Sequence, residues 1–253
     1  MTCCYTLVNR NSHLILLFIS SQLPDYIPTF SFMADGVVHT EMELGGYMLG
    51  SYAPDGMDNP ESPLFGEKVE SAMNGVLHDH IIGLKVDLDV LTTTNTLSTG
   101  TVKYGTYEEI IGAPKPAWHS YDGVKYMALE TQEVETEFFA KDYDVIYVYA
   151  NETNSWGAPK GYEIMFDSTV SSQVFPPGHP LREPQEWAGS NLAVTVYKDE
   201  EEFCSYPSNF QWLAPISRFD LKTFKDGESI VDEDLVSFHS ITILSSNKFR
   251  SHI

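Results

Sequence analysis

Between residues 78 and 89 the chain carries two sets of ligating side chains on one apolar run: His78 and His80 at its start, Asp87 and Asp89 at its end, with Ile81-Ile82-Gly83-Leu84-Lys85-Val86 between them. Side chains alternate along a β-strand, so His78 and His80 share a face with Ile82, Leu84 and Val86, while Asp87 and Asp89 point the other way with Lys85. Two imidazoles on an apolar face suit copper or zinc. Two carboxylates with the Leu88 carbonyl form an all-oxygen donor set, which suits a hard cation such as calcium. The sequence therefore predicts two chemically distinct half-sites on one strand. The plainer alternative for the histidines is a pair of hydrogen-bonded strand side chains.

The elements that must hold this strand also read as β-structure. Short alternating or apolar runs bounded by Gly, Pro, Asn and Asp cover Val37 to Leu49, Val76 to Leu91, Tyr143 to Ala150, Gly161 to Phe166, Leu192 to Tyr197 and Leu235 to Leu244. No 3.6-residue period is sustained, which predicts an antiparallel all-β domain with turns at Asp35-Gly36, Asp55-Gly56 and Asp226-Gly227. A length of 253 residues and a hydrophobic fraction of 42% suffice for one large domain with a sizeable core. A formal charge of -21 argues against nucleic acid or an anionic membrane as partner and favours encounter with small cations such as amines. Cys3, Cys4 and Cys204 form no disulfide framework and no C-x-x-C spacing.

Three further blocks accompany the histidine strand. They are Trp156-Gly157-Ala158-Pro159-Lys160-Gly161-Tyr162-Glu163, then Asn191-Leu192-Ala193-Val194-Thr195, then Phe224-Lys225-Asp226-Gly227-Glu228 with Asp232-Glu233-Asp234-Leu235-Val236. In order and spacing the chain resembles the C-terminal catalytic domain of copper amine oxidases, from about Asp25 to Leu244. The resemblance implies a large antiparallel β-sandwich of that type, homodimeric, acting on small primary amines to give aldehyde, ammonia and hydrogen peroxide. It also implies copper on three histidines, and a topaquinone made from the first tyrosine of a Thr-x-x-Asn-Tyr-Asp/Glu-Tyr motif. His78 and His80 match two of the copper ligands. Asp87, Leu88, Asp89, Asp234 and Leu235 match a first calcium site, with Leu88 and Leu235 acting through their carbonyls. Phe224 through its carbonyl, Asp226 and Glu228 match a second, completed by a glutamate between residues 130 and 137, for which Glu130 or Glu133 is the expectation.

Two positions depart from the family pattern. Asp25-Tyr26-Ile27 falls on the end of the quinone motif, which puts Pro24 where the processed tyrosine should stand and Leu23 where the asparagine should stand. Tyr26 matches the motif's second tyrosine, about 7 Å further along an extended strand. The third copper histidine is expected eleven residues after Asp234, at Ser245. His239 lies six residues short of it, roughly 20 Å away along a strand, and His252 lies beyond the matched region. The expected organisation is a non-family segment over 1–23, a partial catalytic domain over 24–245 that is incomplete at both ends, and a non-family tail over 246–253. The run Leu14 to Ile19 is too short to span a bilayer, so no transmembrane segment is expected. The sequon Asn151-Glu152-Thr153 permits a secreted, extracellular route. Two functions compete: an amine oxidase domain that is inactive as it stands, and a calcium-stabilised, non-catalytic β-sandwich used for binding or dimerisation. An unrelated cupin-like metal site would need a further Glu and His on adjacent strands, and none stands out.

Overall fold

The structure, a computed structural model of the chain, describes residues 4–10, 13–19, 25–45, 50–52, 66–70, 73–76, 78–87, 89–120, 122–166, 176, 179, 188–201 and 221–245. The chain divides into two compact units, Met1–His78 with Ser246–Ile253, and Asp79–Ser245.

In the first unit, strands β1 (Cys4–Arg10), β2 (His13–Ile19), β3 (Asp25–Phe32) and β4 (Val38–Gly45) form an antiparallel sheet in sequence order. The β3–β4 turn is at the predicted Asp35-Gly36. Gly36 takes φ +90°, a left-handed angle that suits a residue with no Cβ, and the Asp35 carboxylate accepts from Val37 N at 3.2 Å. A small sheet of β5 (Gly50–Tyr52), β6 (Gly66–Glu70) and β7 (Met73–Val76), in the order β5-β7-β6, completes the described part of this unit.

The second unit packs two sheets face to face. Strand β8 (His78–Asp87) leads into it, followed by β9 (Asn95–Thr106), the short helix α1 (Tyr107–Ile111), β10 (Gly123–Thr131), β11 (Thr136–Phe138), β12 (Val145–Thr153), β13 (Pro159–Glu163), β14 (Leu192–Val196), helix α2 (Leu221–Phe224), β15 (Val231–Glu233) and β16 (Leu235–Ser245). One sheet has the order β10-β9-β12-β13, with β15 also paired to β9; the other runs β11-β14-β16-β8. Period two on β12 sends Ile146, Val148 and Ala150 inward, where they meet Leu97 of β9 and Leu192, Val194 and Leu235 of the facing sheet. Burying these side chains supplies the main stabilisation, about 1.5–3 kcal/mol for each large one. The second sheet is covered on its outer face too, where Leu221 and Phe224 of α2 pack on Ala193, Val236 and Phe238. That explains why Leu192–Val196 reads as a continuous apolar run rather than an alternating one.

Strands β9 and β10 were not expected from the sequence. β9 is rich in Thr, Ser and Gly, yet Asn95 to Gly100 are buried between β10 and β12. Their polar groups are satisfied internally. Val90 N donates to Asn95 Oδ1 at 3.2 Å, Gln132 Nε2 donates to Thr99 Oγ1 at 2.9 Å, and Ser98 Oγ lies 3.3 Å from the Tyr149 hydroxyl. Among the described residues no helix is long and apolar enough to cross a membrane.

Candidate metal centres

Strand β8 carries His78, His80 and Asp87. His78 is its first residue and His80 its third, so the two rings lie on one face. They are half-buried, as is Asp79, because β8 ends the sheet order beyond β16 and is covered less fully than a central strand. The His78 Nδ1 lies 2.8 Å from Val76 O. A carbonyl only accepts, so Nδ1 carries the proton and the lone pair of the neutral ring is on Nε2, the arrangement a metal-ligating histidine needs.

At the other end of β8, Asp87 and Asp89 are exposed and meet half-buried Asp234, which joins β15 to β16, with ligand oxygens of all three within 4.8 Å of one another. The chain reaches Asp234 through Asp232, whose φ of +57° is a strained angle for a residue with a side chain. Asp232 N is fixed there by Thr96 Oγ1 at 2.9 Å. Burial, and then the negative charges of Asp87 and Asp89, push the Asp234 carboxyl above its ordinary range. Leu235 is fully buried and pairs with Val196.

The second acidic group is Glu135, Asp226 and Glu228, again within 4.8 Å. Its glutamate is therefore Glu135, neither of the two residues expected from the sequence. Glu130 sits on β10 opposite Thr99, with its carboxylate 3.9 Å from Lys103. Glu135 is buried, and its Oε2 accepts from Asp226 N at 2.7 Å and Gly227 N at 3.0 Å, while Oε1 accepts from Val196 N at 3.4 Å. Gly227, at φ +90°, makes the turn that presents both amides. Phe224 puts its ring in the core 5.8 Å from Phe238, which fixes the chain leading into Asp226. Lys198 is a residue sequence reasoning did not single out, although a lone cation opening the acidic run Asp199-Glu200-Glu201 is a visible signal. Its Nζ lies 2.9 Å from Asp226 Oδ2 and 2.7 Å from Glu228 Oε2. The Lys198 ammonium holds Asp226 below the usual carboxylate range, and Glu228 and Asp226 hold Lys198 above the usual lysine range.

Of the remaining predicted positions, Ser245 is the last residue of β16, and Pro24, Leu88 and His252 lie outside the described residues. Among the described residues, neither group of three ligating side chains contains a histidine. His239 is engaged elsewhere. Ser237 Oγ donates to Val86 O at 3.3 Å, so the His239 Nε2–H donates to Ser237 Oγ at 2.7 Å, and the ring stacks on Phe166 at 5.5 Å.

Burial lowers the His239 pKa from 6.5 to about 4. Between those values the unfolded chain binds a proton that the folded chain refuses, so stability rises with pH across the window and is lost on acidification. Because solvent still reaches part of the residue, the expected loss is about 2 kcal/mol rather than the full shift. Urea unfolding at pH 7 and pH 4.5 should show the natural chain losing that much more than His239→Phe, which keeps the stack on Phe166. Equal losses in the two proteins would remove the assignment.

The family model described as "Copper amine oxidase, enzyme domain" matches residues 4–245, which includes β1 and β2. Among curated proteins, the copper-containing diamine oxidase of Homo sapiens is 30% identical over 230 residues, and that of Mus musculus 28% over 225, each alignment covering 87% of this chain and 28% of the relative. The chain thus spans little more than a quarter of the length of these relatives. Among solved structures, the lysyl oxidase of Pichia pastoris superposes with a TM-score of 0.75 at 27% identity, over 95% of this chain and 33% of that one. A copper-containing benzylamine oxidase from Hansenula polymorpha gives 0.78 at 13% identity, over 97% and 37%, and that likeness concerns the fold alone. Taken with the two-sheet sandwich and the histidine strand, the match places this chain in the copper amine oxidase family, within its enzyme domain.

Proposed function

We propose that this chain is the catalytic-domain region of a copper and topaquinone type primary amine oxidase, calcium-stabilised, and without oxidase activity as its sequence stands. The observation that carries the reading is strand β8, which sets His78 and His80 on one face inside a region matched by the family model from end to end. When present in such a site, copper and the quinone together supply the redox chemistry that turns a primary amine into aldehyde, ammonia and hydrogen peroxide.

The residues fit the metals unequally. His78 and His80 would hold copper, with the His78 tautomer already set by Val76 O. A serine hydroxyl at 245 is a weak, hard third donor beside two imidazoles. Asp87, Asp89 and Asp234, with the Leu88 and Leu235 carbonyls, would hold one calcium. Glu135, Asp226 and Glu228, with the Phe224 carbonyl, would hold another. Topaquinone does not fit, because Pro24 stands at the position of its tyrosine. The strong negative charge of the chain supports cationic amines as ligands. A secreted route is supported by Asn151. It is exposed in a bulge where β12 shifts register against β13, between the pairs Tyr149–Gly161 and Thr153–Pro159, and a glycan on Asn151 in secreted material tests it.

Metal analysis after dialysis tests the copper assignment. The expected result is copper at well below one equivalent, lost altogether in His78→Ala and His80→Ala. Full stoichiometric retention would mean a third ligand among residues assigned here to other roles. The competing reading, a non-catalytic calcium-stabilised module, is favoured by the two acidic groups and predicts calcium binding with no copper at all.

A further inference from the structure

Resting on the calcium assignment of the second acidic group, we propose that Lys198 is a tethered occupant of that group, which only a divalent cation displaces, and that Glu201 is the place to which its ammonium withdraws. The group holds three carboxylates within ligating distance of one another, and among the described residues its positive charge is the Lys198 ammonium, 2.7 Å from Glu228 and 2.9 Å from Asp226. The ammonium holds Asp226 Oδ2 and Glu228 Oε2, so a divalent metal drawing on those two carboxylates competes with it for the same negative charge. Glu135 cannot move to relieve the competition, because three backbone amides hold it.

Glu201 supplies the exit. It is 8% exposed, its Oε1 lies 3.8 Å from the Lys198 Nζ, and its Oε2 is buried with no hydrogen-bond partner. A buried carboxylate oxygen left unpaired is unfavourable, so Glu201 stands beside the ammonium as an under-satisfied acceptor, while Lys85 Nζ is committed to the Glu201 backbone carbonyl. A shift of about one ångström brings Nζ from ion-pair distance to hydrogen-bond distance of Glu201 Oε1, and rotation of the carboxylate about its Cγ–Cδ bond presents Oε2 in its place. The exchange is then two-sided. The entering cation gains Glu135, Asp226 and Glu228, and the departing ammonium gains Glu201. A sodium or potassium ion brings no more charge than the ammonium it would replace and must also be desolvated, so it does not win the exchange. A calcium ion brings twice the charge. Lys198 therefore sets which cations the group accepts.

Calorimetric titration of calcium into the full chain, with the first group silenced by Asp87→Asn and Asp89→Asn, tests this. Lys198→Met is expected to tighten calcium binding about tenfold, the scale of a typical coupling between two ligands. Glu201→Gln is expected to weaken it about tenfold in the Lys198 background and by no more than about twofold beside Lys198→Met, since the acceptor matters only when there is an ammonium to receive. If Lys198→Met fails to fold, Lys198→Gln removes the charge while keeping hydrogen-bond donors and carries the same expectation. Equal calcium affinity with and without the lysine charge would overturn the proposal and leave the calcium site standing. Equal weakening by Glu201→Gln in both backgrounds would make Glu201 a direct ligand and overturn it too. No calcium bound by any variant would instead remove the calcium assignment on which it rests.

Discussion

Replacing Glu135 by alanine is expected to destabilise the fold by about 3 kcal/mol, even with all calcium chelated. The carboxylate is buried and is the acceptor for Asp226 N, Gly227 N and Val196 N at 2.7, 3.0 and 3.4 Å. Truncation leaves three amides to find water. The two around Gly227 lie on an exposed turn and recover part of the loss, whereas Val196 lies in the β14 ladder and recovers little. Glu135→Gln keeps an acceptor oxygen and should cost roughly half as much. Chemical unfolding in excess chelator isolates the hydrogen bonds from the metal; repeating it in calcium should widen the gap, because the alanine variant also lacks a ligand. A variant within about 0.5 kcal/mol of the natural chain in chelator would show that the turn at Asp226-Gly227 stands without Glu135.

The same residue marks the limit of what could be read in advance. Four glutamates, Glu130, Glu133, Glu135 and Glu137, stand between positions 130 and 137, and nothing in their spacing says which one returns to Asp226. The choice is made by long-range pairing: Val134 bridges Ser229, and Glu135 N donates to Glu228 O at 3.1 Å, which draws Glu135 across about ninety residues of chain. By contrast, Asp87 and Asp89 share a strand end that the alternation of β8 marks, and Asp234 was named through the resemblance, whose Asp-Leu-Val block it opens. β8, β12, β14 and β16 announced themselves through β-branched and apolar runs. β9 did not, since its burial is balanced by side-chain hydrogen bonds rather than by apolar side chains, and polarity alone reads as loop. Lys198 was hidden for a similar reason. Its role comes from Asp226 and Glu228, which reach it only once α2 packs on Val236 and Phe238.

The chain as it stands is expected to give no quinone stain and no peroxide with primary amines, even with copper supplied. Topaquinone is an oxidised tyrosine ring. On the motif alignment proposed above its place falls to Pro24, which has neither ring electrons to oxidise nor a hydroxyl to anchor at a metal, and binding alone cannot supply chemistry that belongs to the cofactor. On the same proposed alignment the metal side is weakened as well, because Ser245 falls where a third imidazole is expected, and His239 already donates its Nε2–H to Ser237. Redox-cycling stain of the purified chain, followed by peptide mapping, separates formation of the quinone from turnover. A positive stain at Tyr26 would overturn the assignment of the motif, since Tyr26 sits on β3 opposite Leu44, two residues beyond where processing is expected. The constructive test is the triple change Leu23→Asn, Pro24→Tyr and Ser245→His. It restores the tyrosine, its neighbour and the third copper donor together, and each alone is expected to leave the stain negative, because biogenesis needs a ring and a fully ligated metal at the same place. A stain that stays negative in the triple variant while copper becomes tightly held would show that the copper side is sound and that Pro24 is not the position that failed.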